Sequence, residues 1–274
     1  MKKMNLYFHW LLLIMLSLLI VDASVNAEDQ DEKLNYLVVG SGFEYLSYTE
    51  HEPETGSYTD ISLCNVVTRF EGSMSLSPFV IGIKGILPFY LDKEKEEWMR
   101  SGSIYQTNNL EYSRTRIDGN VGYRLYHWLY PYLGLRWSKS KQKRNDFILS
   151  EPVSGKAIET NNALFAAAGI KGILLNSARW EFGYSLDCFL PVYAHTENSA
   201  LQGWESPDKD GYSIGARAVA RYIYSPSVSF DFELAGERVK WDGSGWIDYP
   251  GGSAKWPKNK TLSLNFILGI AWFF

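Results

Sequence analysis

The sequence predicts an all-β fold: a closed antiparallel transmembrane β-barrel of about ten strands. Three observations carry this. Apolar residues alternate at period two with small or polar ones in about ten segments, as in strands with two unlike faces. The connections between segments alternate short and long, as outer-membrane barrels place short turns on one side and long loops on the other. The chain ends in LNFILGIAWFF, where Leu264, Phe266, Leu268, Ile270, Trp272 and Phe274 share one large apolar face and Ser263, Asn265, Ile267, Gly269, Ala271 and Phe273 share the other, which is mostly small or polar.

The N-terminal stretch reads as a signal peptide over residues 1–27. Lys2 and Lys3 make a basic start, Trp10 to Val21 is apolar, and Val25-Asn26-Ala27 is a small-residue cleavage site. The apolar run is shorter than the roughly 20 residues of a membrane-spanning helix. The mature domain is then 28–274. With a net charge of -4 over 274 residues, the chain offers no electrostatic reason for a nucleic-acid partner.

Strand segments follow in order near 35–48, 60–71, 78–90, 110–126, 131–141, 161–174, 179–193, 211–224, 228–241 and 260–274. The second has the weakest alternation. Short connections fall at Gly72–Ser77, His127–Tyr130, Leu175–Ala178 and Ser225–Ser227. Long polar ones fall at Thr49–Thr59, Leu91–Asn109, Gln142–Thr160, His195–Asp210 and Asp242–Asn259. An even strand number puts both mature termini on the short-turn, periplasmic side. A soluble sandwich would also alternate. Against it stand aromatic strand ends at Trp128, Tyr130, Tyr132, Trp180, Tyr193, Tyr222, Tyr224, Trp241 and Trp272, which suit the girdles of a membrane barrel.

Closing such a barrel requires the last strand to pair with the first, because no edge survives in lipid. The terminal Phe274 resembles the C-terminal aromatic signal read by outer-membrane barrel assembly machinery.

Strand parity assigns Glu44, Lys84, Arg114, Arg116, Asp118, Arg124, Arg136, Glu181, Asp187, Arg217, Arg221, Asp231, Glu233 and Glu237 to the interior. A lumen this narrow is nearly filled by side chains, and buried charges persist when paired. Arg–carboxylate networks are therefore expected in place of an open pore, and a small channel is the competing reading. Cys64 and Cys188 lie about half a barrel apart, beyond the roughly 7 Å a disulfide tolerates, so two free thiols are expected. No residues show strong metal-ligand spacing. The basic run Lys139, Lys141, Lys143 and Arg144 sits at headgroup height, where it would pair with lipopolysaccharide phosphates.

Ten strands with five long outer loops resemble the omptin family of outer-membrane aspartyl-type proteases. Local echoes are EEWM at Glu96–Met99, RLYHWLYPYLGLRWSKSK from Arg124, and His195 at the start of the fourth outer loop. The resemblance implies an Asp–His couple that activates water, facing an acidic pair across a cleft. Here Tyr193 stands at the position of the Asp, Lys95 at the first acidic position and Glu97 at the second. Glu197 and Glu96 are the carboxylates positioned to substitute. The expected function is a divergent, non-proteolytic surface barrel, monomeric and without cofactor. The alternative is an endopeptidase using His195 with Glu96, Glu97 and Glu197.

Overall fold

The computed structural model describes residues 35–149, 152–206 and 210–274. The expected signal peptide lies outside them. In chain order the strands are β1 (Tyr36–Glu52), β2 (Ser57–Leu76), β3 (Phe79–Tyr90), β4 (Lys93–Arg100), β5 (Ser103–Tyr123), β6 (Tyr130–Ile148), β7 (Pro152–Asn176), β8 (Trp180–Asn198), β9 (Glu205–Ser206), β10 (Gly211–Ser225), β11 (Val228–Trp241), β12 (Ile247–Tyr249), β13 (Gly252–Ala254) and β14 (Lys258–Phe273).

Twelve of them form one sheet. Ten of those make the barrel wall, with β4 continuing the line of β3 and β9 added to the outer end of β8. All wall neighbours are antiparallel, and β1 pairs with both β2 and β14, so the sheet closes on itself. The β1–β14 register runs without a break from Tyr36↔Phe273 to His51↔Lys258. At this seam the backbones come close: a Cβ on Gly42 would lie 1.9 Å from the Phe266 carbonyl oxygen.

The pleat sorts side chains as the sequence pattern requires. On β14, Leu264, Phe266, Leu268, Ile270 and Trp272 are exposed on the wall, while Ser263, Asn265, Ile267 and Ala271 are buried inside. On β1, Leu37, Val39, Phe43 and Tyr45 face out, and Val38, Glu44, Leu46 and Tyr48 face in. An apolar outer surface around a polar interior is the reverse of a soluble sandwich, and it suits lipid. Cys64 and Cys188 are free and exposed.

Three expectations need correction. The stretches Leu91–Asn109 and Gln142–Thr160 are largely strand: β4 pairs with the first half of β5, and β6 pairs with β7 out to Ile148↔Pro152. The 25 residues of β7 far exceed the roughly 9–11 needed to cross a bilayer, so the wall projects beyond the lipid-facing band. Next, Tyr130 and Trp241 are buried inside and Tyr132 bonds Asp187 in the lumen, so these three leave the girdle. Their parity matches that of the inward Arg136 and Val239, and a count by composition overlooked it. Finally, β2 starts at Ser57 and contributes Arg69 and Glu71 to the interior.

Candidate functional site

The interior is crossed by ion pairs in two layers. In the middle of the barrel, Glu237 on β11 receives Arg114 (3.1 Å) and Arg116 (2.5 Å) from β5 and Arg136 (2.6 Å) from β6. Arg116 reaches on to Glu44 of β1 at 2.6 Å, and Arg136 also holds Asp118. Nearer the short turns, Arg69 pairs with Glu71 (2.8 Å) and Glu233 (2.9 Å), and Arg217 pairs with the same two at 2.6 and 2.7 Å. Lys84 joins Glu233 at 2.8 Å, and Arg221 holds Glu181 and Asp231 at 2.9 and 2.8 Å. These contacts link opposite walls, since β5 and β11 lie half a circuit apart in the strand order. Every charge in both layers is answered, as burial demands. On the turn side a cavity of about 190 Å³ remains, lined by Lys84, Asn120, Tyr132, Lys171, Asp187 and Arg217 among others. Lys171 donates to the Asn120 side chain at 2.6 Å.

Beyond the lipid-facing band the walls enclose a third cluster. Arg144 donates to Glu96 (2.7 Å) and Glu50 (2.9 Å), Asn108 donates to Glu96 (2.7 Å), and the Tyr48 hydroxyl donates to Glu50 (2.6 Å). Three carboxylates, those of Glu50, Glu96 and Glu159, surround this one guanidinium. Burial pushes the Glu50 carboxyl up to about 7, opposed by Arg144 and assisted by repulsion from Glu159 and Glu96. Burial likewise raises Glu159 against the pull of Arg144.

Aromatic side chains pack inside this end. Trp204, Trp241 and Trp256 belong to one buried cluster that continues down the lumen to Phe165 and Phe189, at the level of Arg136. The Trp256 indole donates to Glu159 at 2.9 Å, and the Trp204 indole donates to the Ala254 carbonyl at 3.1 Å. The segments after β8 and around β12–β13 thus fold inward over the barrel. They are not the free external loops expected from their polar composition.

The residues singled out from sequence fall in three separate places. His195 and Glu197 come together, with Nε2 and Oε1 3.1 Å apart. They project from the outer surface of the wall, because β8 carries an extra residue at Val192: Tyr193 pairs with Leu164, yet Pro191 pairs with Phe165. A bulge of one residue exchanges the two faces of a strand. Below it Asp187 and Phe189 point inward; above it Ala194 and Thr196 do, fully buried. Glu96 faces the interior beneath Arg144. Glu97, on the opposite face of β4, pairs with Lys95 at the surface (2.8 Å). The wall therefore separates Glu96 from His195.

The basic run is divided by the same parity. Lys139, Lys141 and Lys143 form an outward row directly above Leu133, Leu135 and Trp137, while Arg144 is buried inside. Lys143 is also engaged by Glu111. One neighbour was missed by the sequence reading. Glu205 on β9 stands opposite Glu197 and approaches His195 Nε2 to 3.7 Å. No spacing rule links Glu205 to His195; strand pairing brings it there.

No protein-family model matches the chain, and no curated protein sequence matches it. Solved structures do. The outer-membrane protease OmpT from Escherichia coli aligns over 91% of this chain and 100% of its own, at 12% identity and a TM-score of 0.68. The transport unit of the autotransporter AIDA-I from Escherichia coli covers 94% of this chain and 96% of its own, at 10% identity and a TM-score of 0.42. The translocator domain of the autotransporter NalP from Neisseria meningitidis covers 90% of each chain, at 10% identity and a TM-score of 0.41. The likeness to OmpT is one of fold: a ten-stranded, omptin-like barrel of the outer-membrane type.

Proposed function

We infer that this protein is a non-proteolytic surface barrel of the bacterial outer membrane. It is exported by the signal peptide of residues 1–27, with both mature termini periplasmic, and acts through the strand ends and hairpins that project outside the cell. The observation that carries the reading is the split of the would-be catalytic groups. His195 lies on the outer wall beside Glu197, Glu96 is locked under Arg144 inside, and the wall stands between them. Activating water for peptide hydrolysis needs base, carboxylate and substrate in one accessible place. The reading as a channel is disfavoured by ion pairs that cross the lumen at two levels.

Lipopolysaccharide is the proposed lipid partner. Lys139 and Lys141 stand in the first polar rows above Trp137, at the height of headgroup phosphates, where clustered ammonium groups pair with phosphate. Phe274 is the proposed signal to the assembly machinery, and the barrel is proposed to be a monomer.

The test is cleavage of a panel of dibasic peptides by the refolded barrel with lipopolysaccharide present, with His195→Ala alongside. The account expects no cleavage by either. Cleavage by wild type that is lost in His195→Ala would establish the endopeptidase reading, with Glu197 orienting the imidazole.

A further inference from the structure

We propose that His195, Glu197 and Glu205 form a surface site for a single divalent cation of the zinc class, on the outer wall above the lipid-facing band. The inference goes beyond the reading of the barrel as non-proteolytic and does not depend on it.

The site is assembled by two pairing rules. His195 and Glu197 are two residues apart on β8 and so share a face. β9 pairs antiparallel with β8 at Thr196↔Ser206 and Glu197↔Glu205, which sets Glu205 on that same face directly opposite Glu197. Two carboxylates facing each other across a strand pair repel. The imidazole stands between them, with Nε2 at 3.1 Å from Glu197 and 3.7 Å from Glu205. A single N–H serves one of these contacts well and the other poorly. A doubly charged cation in its place would neutralise both.

The geometry fits a metal. One donor atom from each residue lies within 4.8 Å of the other two, the one such group among the described residues. Zinc bonds of about 2.0–2.2 Å to nitrogen and oxygen place neighbouring donors roughly 3 to 3.5 Å apart. The His195–Glu197 separation already meets this. Glu205 must close on both partners, from 3.7 Å to the imidazole and from within 4.8 Å to Glu197, a movement that its side chain, 64% exposed, is free to make by rotation. The Tyr193 ring lies beside the imidazole on the same face, nearly parallel at 12° and 6.5 Å. One imidazole with two carboxylates suits zinc and its neighbours over calcium or magnesium, which prefer all-oxygen shells. Solvent supplies the remaining positions. The consequence is mechanical: the metal ties β9, and the chain that covers the mouth, to the barrel wall.

The experiment is calorimetric titration of the purified protein in detergent with zinc chloride, repeated for His195→Ala, Glu205→Gln and His51→Ala. Folding of each variant is checked by its heat-modifiable migration on gels. The expected result is one zinc per chain. Affinity should fall at least ~10-fold in both His195→Ala and Glu205→Gln, stay unchanged in His51→Ala, and resist competition by equimolar calcium. Absence of zinc binding in the wild type, or wild-type affinity in either folded site variant, would overturn the proposal. Loss of binding in His51→Ala would move the metal elsewhere and overturn it equally.

Discussion

Replacing Glu237 with alanine should cost the barrel a large part of its stability. The side chain is buried and receives three guanidinium groups, from Arg114, Arg116 and Arg136, at 3.1, 2.5 and 2.6 Å. Arg116 and Arg136 retain Glu44 and Asp118 after the substitution, but Arg114 keeps only a hydroxyl contact, to Ser263 at 3.3 Å. The variant therefore leaves at least one buried guanidinium without a carboxylate. Removing one partner of a buried pair typically costs about 3–5 kcal/mol. The control is Asp242→Asn, which breaks an exposed pair with Lys240 of 2.7 Å and should leave stability nearly unchanged, because solvent screens such pairs. Urea unfolding of the refolded barrels in lipid vesicles, followed by tryptophan fluorescence, reads both. A Glu237→Ala loss below about 1 kcal/mol would refute the reasoning, because it would mean the network is solvated, or rearranges freely.

Other consequences are as direct. Glu50 has a carboxyl raised from 4.5 to about 7, so the folded state binds more protons than the unfolded one between those values. Its contribution to stability should decline as pH rises across that window, by up to about 3 kcal/mol, and the difference between wild type and Glu50→Gln should show this slope; a flat difference would contradict the burial argument. Lys139→Ala together with Lys141→Ala should weaken lipopolysaccharide binding, measured by co-purification at rising salt, without changing stability. Arg144→Ala should do the reverse, destabilising by about 3–5 kcal/mol while sparing the lipid. Trp256→Ala should loosen the mouth at a cost of about 3–5 kcal/mol, seen as faster proteolysis of the segment after β8.

The fold was legible because a barrel wall writes its pleat directly into the sequence. Leu264 to Trp272 read as one lipid face, and the inward charges of β5 and β11 followed from the same count. The pattern failed where local chemistry broke the period or masked it. Arg69 and Glu71 went unassigned because the outward face of β2 includes Thr68 and Ser62, which blurs the contrast. Val192 inserts one residue into β8 and reverses His195 relative to Asp187, and no sequence rule signals that bulge. Arg144 shares its charge with its lysine neighbours but not their parity, and period two places it on the other face. Glu205 and the tryptophans of the mouth come together through long-range packing, which spacing does not encode.

The orientation of β8 above Val192 decides the functional reading, and thiol accessibility measures it. In a background with Cys64→Ser and Cys188→Ser, single cysteines at positions 195, 196 and 197 would be treated with a bulky, water-soluble maleimide in the folded barrel. The account expects fast labelling of His195→Cys and Glu197→Cys and protection of Thr196→Cys, whose native side chain is fully buried. Protection at 195 and 197 with labelling at 196 would put His195 back inside the barrel, on the same side of the wall as Glu96, and contradict the account.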